Sequence, residues 1–340
     1  MSGRARRLGA FAAGLAISAL ALWVLLSSVD LPATAAALRR ARIEALIPIA
    51  AVLAVQFSLR TFRWSRLVAS LRPEDPVPAR RFAAPLAIGY LGNAVLPARL
   101  GEAIRAAVLG RAEGLPVASV LGTVFVERIL DTLTLAALAG IVAAAIAPDW
   151  MARLAAGVAA AAVVALVVLV VGGRVAATRL RAATGGPLRR AATIGGGAGL
   201  NIATAVAGIP RSALAIAVAV SLAAWLGDAL LFWLVASALG LGLSLGSAFL
   251  VAAVTVLGTA IPSSPGYIGT FEAAAVAAAV ALGVPSGDAL ALAVLAHVCS
   301  TVPVASLGAI AFARRGLGRR DLTDAAASTN ASDAAAAANG

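Results

Sequence analysis

Long apolar runs, separated by short clusters of arginine, fill most of the chain. About 20 apolar residues are enough to cross the hydrocarbon core of a bilayer as an α-helix. Five runs reach this length, and they cover residues 9–29, 117–147, 152–172, 211–239 and 288–313. A sixth run, residues 45–69, has a shorter apolar part and ends in three arginines at helical spacing. The pattern predicts six transmembrane helices, the first of them an uncleaved segment that resembles a signal peptide.

Two further apolar segments are interrupted by turn-forming residues. Residues 82–96 are followed after a proline by residues 100–112, and residues 247–261 are followed by residues 268–283. Each half is too short to cross a bilayer alone. Each segment is therefore either a broken span or a re-entrant helical hairpin. The residues expected to form the hairpin tips are Pro97, Gly101, Pro262, Pro265, Gly266 and Gly269.

The distribution of arginine decides between these two interpretations. If both segments are hairpins, the N-terminus and residues 60–81, 174–211 and 314–320 all lie on one side of the membrane. The other side then holds four arginines, which are Arg39, Arg40, Arg42 and Arg153. We interpret the first three as part of an interfacial helix. The positive-inside rule therefore favours two hairpins and places both termini in the cytoplasm.

The overall composition excludes a soluble globular domain. Hydrophobic residues make up 61% of the 340 residues, charged residues only 12%, and the mean hydropathy is +0.98. The net charge of +12 comes from arginine clusters between apolar runs, which indicates membrane topology and not nucleic-acid binding. We predict an all-α polytopic membrane protein with six full transmembrane helices and two re-entrant hairpins, eight hydrophobic segments in total. We expect residues 1–320 to form a single integral membrane domain and residues 321–340 to form a disordered tail.

A short internal repeat accompanies the two hairpins. The tripeptide Gly-Leu-Pro at 114–116 recurs as Gly-Val-Pro at 283–285. In the topology above, the two copies enter the membrane from opposite sides. Inverted repeats with interrupted helices are typical of alternating-access transporters. We therefore predict an inverted repeat with halves at residues 45–147 and 211–313.

Charged side chains within the apolar runs are the candidate functional residues. A charge at the bilayer centre costs about 2.5–3.5 kcal/mol on insertion scales, so such residues usually line a cavity or pair with one another. Glu127 and Asp131 share one helix face, and Arg128 lies three residues before Asp131. The alternative is that these charges only hold the helices together. The other candidates are Asn93, Arg99, Glu102, Arg105, Asp228, Ser263, Ser264, Glu272 and His297.

The interrupted segments suggest a site for an anion. Arg99 lies beside the free N–H groups that begin the next helix, and this combination favours a group such as phosphate. The Pro-Ser-Ser-Pro-Gly turn at 262–266 offers N–H groups and hydroxyls, or is only a kink. His297 is either hydrogen-bonded structure or a proton carrier. We interpret Arg60, Arg63 and Arg66 as side chains that extend to lipid headgroups; the alternative is that they attract headgroups to a cavity. No catalytic residue, metal site or cofactor is predicted.

These motifs resemble those of a known membrane family. Residues 93–102, with Arg105 and the charged residues at 127–131, are similar to the first signature of the lysylphosphatidylglycerol synthase transmembrane, or flippase-like, family. Residues 261–272, followed by the tripeptide at 283–285, resemble the second signature.

The resemblance extends over residues 8–315 and departs from the family at the second turn. Tyr267 stands where a second glycine is expected, and Thr270 and Phe271 precede Glu272 where members often have a small residue and an arginine. We therefore carry over Glu272 as a site residue but no arginine at this turn.

The resemblance implies a multi-pass protein of the bacterial plasma membrane that moves aminoacylated phospholipid between leaflets. The synthase domain of such relatives is not seen after the last helix, which implies a stand-alone translocase and not an enzyme. Arg99 and Arg128 would hold the lipid phosphate. Carboxylates would organise them or accept a cationic substituent; these are Glu102, Glu127, Asp131 and Glu272.

Two other functions fit the same residues. One is an accessory subunit that presents a lipid-linked substrate to a glycosyltransferase or lipid-modifying enzyme. The other is a membrane-embedded enzyme, which Glu127 and Asp131 permit. The expected partners are a phospholipid or lipid-linked substrate, with a homodimer or an enzyme as candidate protein partners.

Overall fold

Helices account for the secondary structure of the described part of the chain. The computed structural model describes residues 3–96, 100–146, 153, 156–165, 167, 208–261 and 263–315, with side chains from residue 14 onward. The helices are α1 Gly3–Ser28, α2 Leu31–Arg40, α3 Leu46–Val68, α4 Ala83–Val95, α5 Leu100–Glu113, α6 Val117–Ile146, α7 Ala156–Ala165, α8 Arg211–Ala238, α9 Leu245–Gly258, α10 Thr270–Ala281 and α11 Ser286–Arg314. No β-strand occurs in these ranges.

The long helices are sufficient to make this a multi-pass membrane protein. Four are long and apolar enough to cross a bilayer: Ile43–Leu71, Val117–Ala145, Arg211–Ala238 and Ser286–Arg314. The pair α1 and α2 gives a fifth candidate span if it is counted as one. Most of the predicted span at residues 152–172 lies outside the described residues, which here include only α7 and two isolated positions. The prediction of six spans is therefore confirmed only as four to five.

The first predicted span ends in a sharp bend between α1 and α2, where the chain turns by 88°. Asp30 begins α2 by accepting a hydrogen bond from the N–H of Ala33 at 2.9 Å. Pro32 follows in the first turn, where its missing N–H removes no helical hydrogen bond. Because α2 is nearly perpendicular to α1 and ends in Arg39 and Arg40, it has the features of the predicted interfacial helix.

Pairs of short helices occupy both interrupted segments. At the first, a Cβ added to Gly92 of α4 would lie 2.8 Å from the Cα of Gly101 in α5. At the second, a Cβ added to Gly258 of α9 would lie 2.4 Å from the Cβ of Ala274 in α10. The two helices of each pair therefore pack closely beside their connecting turn, as the arms of a helical hairpin do. Re-entrant insertion into the bilayer stays a prediction.

The order of elements is the same in the two proposed halves. A long helix, two short helices and a second long helix occur first as α3–α6 and again as α8–α11. A left-handed glycine precedes the last helix of each series, Gly114 with φ +66° and Gly283 with φ +88°. The repeated order follows the predicted repeat, whose inverted orientation stays a prediction.

Contacts divide the chain into two interleaved units. The first contains Met1–Gln56, Asn93–Arg99 and Ala224–Ala305. The second contains Phe57–Gly92, Leu100–Ala223 and Ser306–Gly340. Each unit has its own apolar core, which includes Phe232, Val251 and Leu292 in the first and Trp64, Phe82 and Leu109 in the second. Each unit also contains one cluster of the candidate residues.

Replacing Gly92 by leucine is expected to destabilise the pair α4 and α5. The new side chain would overlap the backbone of Gly101, and overpacking of this kind typically costs about 1–3 kcal/mol. The melting temperature of the detergent-solubilised protein should therefore fall. Gly157→Leu in α7 is the control, because a Cβ at Gly157 meets nothing within 4 Å. Equal melting temperatures for the two variants would contradict the close contact.

Candidate functional site

A buried ionic network joins helices of the second unit. Arg63 of α3 is fully buried and lies between Glu127 and Asp131 of α6. Its Nη2 donates to Glu127 and to Oδ2 of Asp131, the latter at 3.1 Å. Its Nη1 donates to Oδ1 of Asp131 and, at 2.6 Å, to the hydroxyl of Ser221 in α8. Arg63 thus connects three helices through charge-assisted hydrogen bonds, which are stronger than neutral ones.

Arg105 of α5 completes the partners of Glu127. Its Nη2 donates to Oε2 of Glu127 at 2.9 Å, on the opposite carboxylate oxygen from Arg63. The guanidinium carbon lies 4.7 Å from the ring centroid of Trp64, and the indole N–H of Trp64 donates to Thr123 at 3.2 Å. The ion pair and the cation–π contact together hold Arg105 in one position. Both oxygens of Glu127 are therefore occupied by protein groups.

Arg128 differs from the other arginines of the network because 34% of its side chain is not covered by protein. Its Nη2 lies 3.2 Å from Oδ2 of Asp131 and 3.7 Å from Oε1 of Glu127. Its Nε lies 3.5 Å from Oε1 of Glu102 and is a buried atom with no hydrogen-bond partner among the described residues, so the uncovered part of the side chain lies elsewhere on the guanidinium or its stem. Arg128 is thus anchored on one side and accessible on the other.

The charges of the network balance only when Glu102 is included. Arg63, Arg105 and Arg128 surround two almost fully buried carboxylates, those of Glu127 and Asp131. Glu102 supplies the third negative charge, and 23% of its side chain is uncovered. An anion at the uncovered part of Arg128 could take over this role, because the contact between Glu102 and Arg128 is long.

The structure corrects one interpretation of the sequence. We expected Arg60, Arg63 and Arg66 to extend to lipid headgroups. That is wrong for Arg63, which is fully buried in the ionic network, whereas Arg66 is exposed and Arg60 is half-buried. The partners of Arg63 lie on α6 and α8, far away in sequence, so helical spacing alone did not indicate them.

The first unit holds a second polar cluster around Glu272. Nδ1 of His297 in α11 lies 2.5 Å from Oε1 of Glu272 in α10. The backbone N–H of Gly269 donates to Oε2 of the same carboxylate at 2.7 Å. The ring of Phe271 stacks on the imidazole at 4.2 Å between centroids. Two residues that the sequence predicted separately are therefore direct partners.

The serine turn before α10 uses much of its hydrogen-bonding capacity within the protein. The N–H of Ser264 donates to Ser18 of α1 at 2.8 Å, and its hydroxyl donates to the carbonyl of Ile268 at 3.0 Å. Ser263 differs, since its buried hydroxyl has no partner among the described residues. Among the hydrogen-bond donors that we expected this turn to offer to an anion, the hydroxyl of Ser263 is thus the main one left. The following residues have left-handed backbone, with φ +69° at Gly266 and +60° at Tyr267.

The remaining candidates lie elsewhere. Asp228 of α8 accepts a hydrogen bond from Gln56 of α3 at 3.0 Å, in the first unit and not in the ionic network. Asn93 is half-buried near the end of α4. Pro97, Arg99 and Pro262 lie outside the described residues.

Sequence reasoning missed four residues that complete the two sites: Arg63, Trp64, Ser221 and Ser18. Arg63 was noticed as a charge but not as a partner of Glu127. The other three gave no usable signal, because a tryptophan or a serine in a transmembrane helix usually serves packing.

Long apolar helices and a buried ionic network define a helical membrane protein with a polar site among its helices. Residues 11–308 match the family described as the lysylphosphatidylglycerol synthase TM region. The chain therefore belongs to this family, as its two signatures predicted.

A curated protein is similar to part of the chain. It is Glycosyltransferase AglD of Haloferax volcanii, which is 33% identical over 136 residues. The aligned part is 40% of this chain and 21% of that protein, so the chain matches about a fifth of the relative's length.

Proposed function

We propose that this protein is a flippase-like transporter that moves a phospholipid with an anionic or aminoacylated headgroup, or another lipid-linked substrate, between leaflets. The observation that carries this proposal is Arg128, a cation anchored by buried carboxylates but one-third uncovered. The family membership of the chain and its membrane-spanning helices support the same function. A phosphate-bearing headgroup is a ligand that such an arginine would bind.

The network would act by exchanging one anion for another at Arg128. The phosphate of the lipid would bind the uncovered part of Arg128 and replace Glu102 as its outer partner, whose present contact with Nε is 3.5 Å. Glu102, once displaced, could form an ion pair with the ammonium group of an aminoacylated headgroup. Arg63 and Arg105 would keep Glu127 in place, so that Arg128 stays in position while its outer partner changes. The acyl chains would remain in the bilayer throughout.

We propose that this exchange of anions takes place in an alternating-access transporter. We infer that α4–α5 and α9–α10 are re-entrant hairpins of an inverted repeat in a protein with six full spans. Both termini would lie in the cytoplasm of a bacterial cell, with the protein in the plasma membrane. Arg99 lies outside the described residues and stays a phosphate contact expected from the sequence alone. Asp228, paired with Gln56, would serve helix packing instead.

We assign no catalytic role to the carboxylates. Both oxygens of Glu127 and both oxygens of Asp131 accept hydrogen bonds from arginine, so neither carboxylate is placed to exchange a proton with a substrate. The proposed exchange of anions at Arg128 involves neither a cofactor nor a bound metal.

Reconstituted vesicles give the test of this function. Purified protein in sealed proteoliposomes should accelerate the exposure of headgroup-labelled phosphatidylglycerol and lysylphosphatidylglycerol to an external quencher. Phosphatidylcholine and protein-free vesicles serve as comparisons. We expect faster exposure of the first two lipids. Rates equal to those of protein-free vesicles for every headgroup would reject transport.

A second function is favoured by the relative named as a glycosyltransferase. In this function the chain would be an accessory subunit that presents a lipid-linked substrate to an enzyme. It predicts a stable complex with a glycosyltransferase or lipid-modifying enzyme during purification from native membranes. It also predicts that the complex, and not the isolated chain, acts on the lipid.

A further inference from the structure

We propose that the exposed face of α6 binds an anionic phospholipid from the bilayer side, with the phosphate at Arg128 and the acyl chains beside Phe125. This inference rests on the proposed function, because it takes the lipid phosphate at Arg128 from there and adds where the rest of the lipid lies. It names Phe125 as a further substrate contact, which neither the motifs of the sequence nor the ionic network indicate.

Helical spacing places Phe125, Arg128, Ile129 and Thr132 on one face of α6. They stand at positions i, i+3, i+4 and i+7, which lie within one stripe of a helix. Phe125 is 59% uncovered, Thr132 is exposed and Ile129 is half-buried, whereas Val126 on the opposite side is buried. These four residues are therefore the exposed face of α6 at this level, and Arg128 is one of them.

Arg128 lies where this exposed face meets the ionic network. Its Nη2 faces Asp131 and Glu127, and its Nε is buried near Glu102. Its Nη1 makes no ion pair with a described residue. The carboxylates cover one side of the guanidinium, so the uncovered third of the side chain lies on the side away from them. An anion can thus approach Arg128 along the exposed face of α6.

The other side chains of this face suit hydrocarbon better than a second polar contact. Phe125 and Ile129 are apolar, and the hydroxyl of Thr132 donates to the backbone carbonyl of Arg128 at 2.9 Å. A single cation with apolar neighbours matches an amphiphile that carries phosphate next to acyl chains. A small soluble anion would gain nothing from Phe125, so charge and apolar surface together favour a lipid.

The position of Arg128 within a membrane-spanning helix supports the same ligand. Residue 128 lies roughly 16 Å along α6 from Val117, the first residue of the candidate span. Arginines near the end of a span commonly extend to the headgroup level. Arg128 is instead held by Asp131 and Glu127, and a charge that faces hydrocarbon without a partner is unfavourable. A lipid phosphate beside Arg128 would provide that partner.

The same helix contains a matched control position. Ile141 is apolar and 56% uncovered, which is close to the exposure of Phe125. It belongs to the same candidate span and lies roughly 20 Å along α6 from Arg128. The residues within one turn of Ile141 carry no charge. If exposure alone decided which lipid contacts the helix, both positions would therefore meet the same lipids.

Photo-cross-linking measures which lipid contacts each position. The full chain carries p-benzoylphenylalanine at residue 125 or 141, in nanodiscs with equal amounts of phosphatidylglycerol and a phosphate-free glycosyl diacylglycerol of the same acyl chains. Mass spectrometry gives the ratio of the two cross-linked lipids. We expect phosphatidylglycerol to be enriched roughly tenfold at residue 125 relative to residue 141, as for one hydrogen bond to a charged group. Equal ratios, or cross-links from residue 125 to a second copy of the chain instead of lipid, would overturn the proposal.

Two further comparisons identify the cause of the enrichment. In Arg128→Gln we expect the ratio at residue 125 to fall to that at residue 141, and an enrichment that survives this change would overturn the proposal. Short-chain phosphatidylglycerol should displace the enriched lipid from the native protein, whereas the same concentration of glycerol phosphate should not. Equal displacement by both would identify a free phosphate as the ligand and overturn the assignment to a lipid.

Binding and transport can fail separately in these experiments. Enrichment at residue 125 in a protein that moves no lipid in proteoliposomes would reject lipid transport and still support the binding of phospholipid at the exposed face of α6. Transport of phosphatidylglycerol together with equal ratios at residues 125 and 141 would support lipid transport and overturn this binding.

Discussion

Replacing Arg63 by leucine is expected to destabilise the protein severely. The change would remove from the buried Glu127 and Asp131 the guanidinium that donates hydrogen bonds to both. Removing one partner of a buried ion pair typically costs about 3–5 kcal/mol, because a buried charge is left uncompensated. Here Arg105 and Arg128 remain, but they face three carboxylates, so one negative charge of the network is no longer balanced. The thermal unfolding of the detergent-solubilised protein, followed by circular dichroism, should shift to a markedly lower temperature.

Arg66→Leu is the matched control for this change. Arg66 lies three residues further along α3, carries the same side chain and is exposed, so its loss should affect the melting temperature little. Adding Asp131→Asn to Arg63→Leu should restore part of the stability, because one of the stranded charges is removed. Equal melting temperatures for Arg63→Leu and Arg66→Leu would show that the network does not stabilise the fold.

Replacing Arg128 by glutamine is expected to reduce lipid transport at least tenfold while the protein stays folded. Arg128 is the uncovered arginine at the edge of the network, and Glu127 keeps both Arg63 and Arg105 as partners after the change. A hydrogen bond to a charged group contributes about 1.5–3 kcal/mol, which at its lower end corresponds to roughly tenfold in rate. The transport rate per folded protein in proteoliposomes measures this effect.

Arg111→Gln provides the control for lost positive charge. Arg111 is exposed in the last turn of α5 and lies outside the ionic network. It should leave both the transport rate and the melting temperature close to those of the native protein. A parallel loss of transport in both variants would indicate a general effect of surface charge and not a site at Arg128.

The hydrophobic pattern was sufficient to predict the long helices. In lipid, every backbone polar group must be satisfied within the protein, so long apolar runs form helices. The interruptions at residues 97 and 262 likewise predicted the pairs of short helices. The spacing of Glu127 and Asp131 predicted that they share one helix face, and both contact Arg63. The bend before α2 follows from Asp30 and Pro32, a helix-start signal that could have been recognised.

Contacts between distant helices could not be predicted in the same way. Arg63 and Glu127 are 64 positions apart, and Glu272 and His297 are 25 apart. Helical periodicity gives the direction of a side chain relative to its own axis but not the neighbour that it meets. For Arg63, the spacing equally permitted contact with lipid headgroups, and packing of α3 against α6 decided the outcome.

We propose that Arg128 recognises the phosphate of a lipid during transport. The most direct measurement compares native protein with Arg128→Gln on two labelled lipids with the same acyl chains, one with a phosphate headgroup and one with a neutral, phosphate-free glycosyl headgroup. We expect native protein to transport the phosphate lipid faster and the variant to lose this preference. A preference for the phosphate lipid that is the same in both proteins would contradict it.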